Sequence, residues 1–334
     1  MVSDQFIKAK EAASEGNGYR LMTILDKMSM CCPEYNIKYV AKVTKIAAKH
    51  NYAFTVEMIL DKYKLDEYFD EIAYKAAKHG SIEVLRVLQK FGYKDYLHII
   101  TGAASANHID LIDTIIEENG LTDSDDVWNY VARAAAAHGY TSLVKIAIVN
   151  GSVDFKGIGL IAANCGHYEI AALAREYDQG LTSDAIAKAA AVGGHLPIVL
   201  KMVNDEGARD FEGIGQAALS TRHYTIALEM IKLGATSLVE PVAMAAAYDD
   251  RVYVVEQLDE LGQLEGKPSL LRMLMMIAYD NHNRDFTKYL ENRNHKLTRK
   301  TTNIRSPRNH SKHRYELPYS SQIEQLSEAI SKMF

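Results

Sequence analysis

An alanine pair followed by glycine or asparagine recurs about ten times along this chain, at intervals of 27 to 35 residues. The anchor positions are Ala12, Ala47, Ala76, Ala103, Ala135, Ala162, Ala190, Ala218 (followed by Leu219), Ala246 and, degenerately, Ile277. Four residues after these anchors stand Gly16, Asn51, Gly80, Asn107, Gly139, Gly166, Gly194, Arg222, Asp250 and Asn281. Self-similarity at such a period is the mark of a solenoid, whose units bury their apolar faces only by stacking on their neighbours. An array of this kind needs no single large core, so 334 residues need not divide into conventional domains.

Residues 154–181 show how one unit is built. Asp154 is placed to accept hydrogen bonds from the free N–H groups of a helix start, and Asp95, Asp210 and Thr182 share its offset, eight residues before their anchors. A short first helix runs into Ala162-Ala163, where small side chains let helices approach closely. Gly166 then supplies the left-handed conformation that ends the helix and opens a tight turn. The second helix carries Tyr168, Ile170, Ala171 and Ala174, and Ile82/Val84/Leu85/Leu88 and Leu196/Ile198/Val199/Met202 are equivalent sets. That spacing marks a helix buried on a broad face. A further glycine, such as Gly92, Gly151, Gly180, Gly207 or Gly234, stops it.

The stretches AAKHGSIEVLRVLQKFG (76–92), AAVGGHLPIVLKMVNDEGA (190–208) and AALSTRHYTIALEMIKLGA (217–235) resemble the core of the ankyrin repeat. The resemblance covers roughly residues 10–291. Two departures stand out. The Thr-Pro-Leu-His tetrapeptide that opens the ankyrin first helix is absent, and several units are only 27 or 28 residues long. The missing residues belong to the projecting β-hairpin fingers, so short or absent fingers are expected. Arrays of this hairpin-poor type are similar to those of large DNA viruses and some intracellular bacteria. The expected fold is an all-α solenoid of about ten degenerate ankyrin-like helix–turn–helix repeats. It comprises the array (1–291), a basic linker or arm (292–315) and a C-terminal amphipathic helix (316–334).

Composition narrows the setting. No uncharged apolar run reaches membrane-spanning length, the opening MVSDQFIKAKEAASEG lacks a signal-peptide layout, and Cys31, Cys32 and Cys165 form neither a disulfide framework nor a CxxC pair. An intracellular protein is expected, in the cytoplasm or, given the resemblance, in the cytoplasm or nucleus of a host cell, with no membrane association. The net charge of −5 hides an asymmetry. Residues 292–315 hold eight Lys/Arg and no acid, leaving 30 basic against 43 acidic residues elsewhere.

No catalytic residue, metal ligand or cofactor is expected. The chain has no GxSxG, HExxH or GxxxxGK[ST]. Gly157-Ile158-Gly159 and Gly213-Ile214-Gly215 recur at one repeat offset and follow no strand, so they read as small residues at a crowded helix start rather than a phosphate loop. His167, His195 and His223 occupy one repeat position, and His50, His79 and His138 another two residues earlier. Packed helices lie about 8–10 Å apart, too far for equivalent histidines to share an ion. In the resembled family such histidines tie the turn by hydrogen bonds.

A protein partner is the expected ligand. The resemblance implies that the two residues between alanine pair and turn face a concave groove. Carried over, this set includes Lys49, His50, Lys78, His79, His138, Asn164, Tyr248, Asp249, Tyr279 and Asp280, running from basic through small and neutral to aromatic and acidic. Trp128, the lone tryptophan, is a candidate exposed anchor. Two alternatives involve the C-terminus. Arg293, Lys296, Arg299, Lys300, Arg305 and Arg308 could hold nucleic acid weakly and without sequence preference. Leu317-Pro318, with Ile323, Leu326 and Ile330 at helical spacing, resembles the truncated F-box-like end of poxviral ankyrin proteins, which implies a ubiquitin-ligase adaptor; a cap over the last repeat is the other reading of that helix.

Overall fold

The computed structural model describes residues 2–31, 36–121 and 125–298. The protein is all-α, and no strand forms among the described residues. Contacts divide the chain into Met1–Ile158 and Gly159–Phe334. The division falls inside the eleventh helix.

Five helical hairpins make up the first unit. They are α1 (Val2–Ser14) with α2 (Gly18–Cys31), α3 (Asn36–Lys49) with α4 (Ala53–Lys62), and α5 (Phe69–Lys78) with α6 (Ile82–Lys90). Then come α7 (Tyr96–Ala104) with α8 (Ile109–Glu118), and α9 (Asp125–Ala137) with α10 (Thr141–Val149). First helices pack on first helices in the series α1, α3, α5, α7, α9, and α2, α4 and α6 form a second layer.

The second unit repeats the plan. It begins within α11 (Phe155–Asn164) and continues with α12 (Tyr168–Tyr177), α13 (Ser183–Val192), α14 (Leu196–Asn204), α15 (Phe211–Ser220) and α16 (Tyr224–Lys232). It closes with α17 (Val239–Tyr248), α18 (Val252–Glu260), α19 (Pro268–Asp280) and α20 (Arg284–Thr298). Here α13 packs on α15 and α17 on α19, while α14, α16, α18 and α20 follow one another in the other layer. Each unit is therefore a solenoidal stack of hairpins.

The anchors lie where stacking needs small side chains. All nine alanine anchors from Ala12 to Ala246 have 0% exposure. The tenth is displaced by one: Ala278, not Ile277, is completely buried, and His282, not Asn281, takes the left-handed conformation. At the other nine turns the expected residue has a positive φ. The residue after it sends its N–H back to the anchor carbonyl, as in Gly194 (φ +80°) followed by His195 N to Ala190 O at 2.9 Å. The companion bond runs from Gly194 N to Ala191 O at 3.2 Å. Together they satisfy carbonyls that a helix end otherwise leaves free.

Helix starts follow the sequence equally closely. Asp95 accepts from Leu97 N and His98 N, Asp154 from Gly157 N, Thr182 from Ala185 N and Asp210 from Gly213 N. The glycine pairs are explained by crowding. A Cβ on Gly157 would lie 2.0 Å from Asp154 Oδ2, and one on Gly215 would lie 2.1 Å from Leu238 Cδ1. Between hairpins the chain needs only a few residues, as at 91–95 and 150–154, and no finger projects there.

A further repeat position ties these connectors down. Six residues before the anchor stand Asp70, Asn129, Asp184 and Glu212. Asn129 Oδ1 accepts from Ser152 Oγ, Val153 N and Asp154 N at 2.9–3.1 Å. Asp184 Oδ1 accepts from Arg209 N at 2.7 Å and Asp210 N at 2.9 Å. Tyr93 donates to Asp70, and Ser237 to Glu212. Two residues before the anchor, Arg133 and Lys188 pair with the capping carboxylates Asp154 and Asp210.

Candidate functional site

The candidate residues lie where the stacking leaves side chains at the surface. Between alanine pair and turn each repeat presents two positions, and from Lys49/His50 to Tyr279/Asp280 only Ser105 among them is buried. Lys49, His50, His138, Tyr279 and Asp280 are exposed, while Lys78, His79, Asn164, Tyr248 and Asp249 are half-buried. In the last repeat the shift to Ala278 makes Asp280 and Asn281 the equivalent pair, with Tyr279 in the second alanine position. Each unit carries its own strip. The first holds Lys49, His50, Lys78, His79 and His138; the second holds Asn164, Tyr248, Asp249 and Asp280, with Tyr279 beside them.

Several strip residues are held by specific contacts. His79 Nδ1 donates to Lys75 O at 2.9 Å, and His138 Nδ1 to Ala134 O at 3.0 Å. His50 and His138 stack on Tyr52 and Tyr140. Burial, reinforced by the charges of Lys75, Lys49 and Lys78 and opposed by the bond to Lys75 O, lowers the pKa of His79. Asp249 accepts from Tyr224 at 2.6 Å and faces Arg222, and Tyr279 donates to Glu291 at 2.7 Å. Burial, then the bond to Asp249, pushes the Tyr224 hydroxyl far above its ordinary value.

The other histidine series joins consecutive repeats. His195 Nε2 donates to Asn164 O at 3.0 Å, and its ring covers Gly166. His108 bonds Lys78 O at 3.1 Å in the same way and lies over Gly80. His223 covers Gly194, and Asn283 reaches Ala247 O and Tyr248 O. The sequence suggested turn-tying histidines; the tie observed runs to the preceding repeat.

Trp128 corrects an expectation. It is only 6% exposed, within α9, and cannot serve as a surface anchor. Tryptophan so near a helix start could equally be packed or exposed, and composition does not discriminate. Arg293 is likewise committed: its guanidinium bonds both oxygens of Asp259, which lowers the Asp259 pKa against the opposing effect of burial. It belongs to α20, so the expected arm boundary at 292 lies within a helix. The side chain of Lys296 and the whole of Arg299, Lys300, Arg305 and Arg308 lie outside the described residues, as does the expected helix at 316–334.

Metal-type groups come together at one place among the described residues. Asp70, Asp95 and His98 have potential ligand atoms within 4.8 Å of one another. Each has structural work: Asp70 accepts from Tyr93, and Asp95 caps α7 and holds His98 Nδ1 at 2.9 Å. Cys165 is a half-buried thiol, its pKa raised by burial. No helix among the described residues is long and apolar enough to cross a membrane. No known protein-family model and no curated protein matches the chain by sequence.

Proposed function

We propose that this protein is a non-catalytic recognition module of divergent, hairpin-poor ankyrin type, which binds a protein partner along the strips between alanine pairs and turns. One observation carries this reading. The repeat commits its anchors, turns, caps and connectors to stacking, yet leaves the two positions between anchor pair and turn exposed or half-buried, Ser105 excepted, and chemically varied. Those positions sit on helix ends whose backbone is fixed by turn hydrogen bonds. Such a surface loses little ordering entropy on binding, so affinity can accumulate from many shallow contacts. An intracellular setting accords with this role.

The reading is tested by substituting Lys49, His50 and Asp280, all exposed, together with serine in the full chain. Affinity capture from cells followed by mass spectrometry should lose the wild-type partner set, while the circular-dichroism melt stays unchanged. An unchanged partner set would reject the strips as the binding surface.

A further inference from the structure

Helix α3 carries four lysines and no acidic residue. Lys38, Lys42, Lys45 and Lys49 fall at helical spacing on one face, which spans about 16 Å at 1.5 Å per residue. Lys38, Lys42 and Lys49 are exposed. On the adjoining helix, Lys75 and Lys78 extend the patch, and their charges reach His79 together with that of Lys49. Lys45 pairs with Glu71; the other five lysines make no ion pair among the described residues. Lys42 and Lys78 lie against the rings of Tyr39 and Tyr74.

Helix stability does not account for this arrangement. The macrodipole favours Lys49 and Lys78, each the last residue of its helix, but disfavours Lys38 in the first turn of α3. Lysines four apart, as at 38/42 and 45/49, repel each other on a helix surface. Such a patch is explained by a ligand that supplies the missing negative charge.

We propose that the lysine face of α3 and α5 docks an extended acidic peptide segment of a partner protein. This deepens the recognition reading above and rests on it. About five extended residues cover 16 Å, so a short acidic stretch is long enough. Glu71, paired with Lys45 in the middle of this face, interrupts the positive field. A nucleic acid, charged along its whole length, would need a continuous basic track. Residues 299–315, with six Lys/Arg and no acid, have the wrong sign to fill the patch.

The experiment is fluorescence anisotropy with the full chain and a fluorescein-labelled dodecapeptide of alternating glutamate and alanine, in low salt. Binding should saturate, weaken as salt rises, and fall about tenfold in Lys42→Glu and again in Lys49→Glu, as expected for charge pairs across an interface. Lys145→Glu, at an exposed position on α10, should bind as wild type. Saturation should also raise the His79 titration midpoint, read by its imidazole carbon–proton resonance. Equal binding of a serine–alanine dodecapeptide that depends on Lys49 would overturn the acidic specificity and leave the recognition surface standing. Binding of neither peptide would overturn this docking proposal and leave the recognition reading to the partner-capture experiment. Tighter binding of an oligonucleotide of equal charge, or a dimer in sedimentation that Lys49→Glu dissolves, would overturn the proposal in favour of that occupant. Unchanged melting of each variant establishes that folding is not the cause.

Discussion

A residue at a repeat turn is chosen by two structures at once, its own backbone and the next repeat's side chain. Gly194 has φ +80°, and a Cβ there would also lie 2.5 Å from the His223 ring. Gly16 meets Tyr52 and Gly166 meets His195 in the same way. Where the next repeat offers Ser81, Arg251 or Asn283, the left-handed residue is Asn51, Arg222 or Asp250 instead. Asn107, followed by Tyr140, departs from this rule. Gly194→Ala should therefore destabilise the protein by about 1–2 kcal/mol through the backbone alone, and by more with His223 present. Urea denaturation of Gly194→Ala, His223→Ala and the double variant measures the coupling; strict additivity would show that ring and glycine are independent. Asp210 is subject to a different test. The Lys188 ammonium, then the Gly213 N–H, hold its pKa below the ordinary carboxylate value. Its stabilising contribution is thus complete above the unfolded value of about 4 and fades as pH falls through the lower folded value. Asp210→Ala should lose about 1 kcal/mol at pH 7, and the gap to wild type should close in acid. A gap that persists at pH 2 would mean that the cap works by something other than its charge.

At the scale of the element, the alanine pair and the turn residue made the hairpins legible before any coordinates, because both have stringent steric requirements. The caps were legible for the same reason: Asp95, Asp154, Thr182 and Asp210 sit at one offset where four N–H groups need acceptors. The connector-binding position six residues before the anchor was not. It alternates among Asp, Asn and Glu, and its partners lie 23 to 26 residues away, so no local pattern advertises it. The last anchor slipped by one because Ile277 and Ala278 both suit a buried helix face, and only the φ of His282 decides between them. Two substitutions separate these classes. Ala190→Leu should cost about 1–3 kcal/mol by overpacking at a site with no exposure, whereas Thr225→Leu, exposed on α16, should stay within about 0.5 kcal/mol of wild type; calorimetry reads both. Asp184→Ala should cost about 1–2 kcal/mol by stripping the acceptor from Arg209 N and Asp210 N. It should also open the 205–210 connector to limited proteolysis. An intact connector would transfer its stability to the backbone alone.

At the scale of the whole molecule, stacking in series was legible from the period, but which surfaces remain free was not. Trp128 looked like an anchor and is packed; Arg293 looked like part of an arm and is clamped to Asp259. Both share a cause, since composition records a side chain's chemistry and not whether the fold buries it or a partner such as Asp259, 34 residues away, claims it. The same locality governs stability. In the first unit α5 packs mainly on α3, α7 and α6, whereas α10 packs mainly on α9. Stability then sums over units and their nearest-neighbour interfaces, unlike that of a globule with one shared core. Ala76→Leu should accordingly lower hydrogen-exchange protection in α3, α5 and α7 while α10 retains its wild-type protection. Exchange mass spectrometry in the native baseline distinguishes the two regimes: graded loss centred on α5 follows from a linear array, and equal loss across the unit would require cooperative unfolding that this contact pattern does not provide.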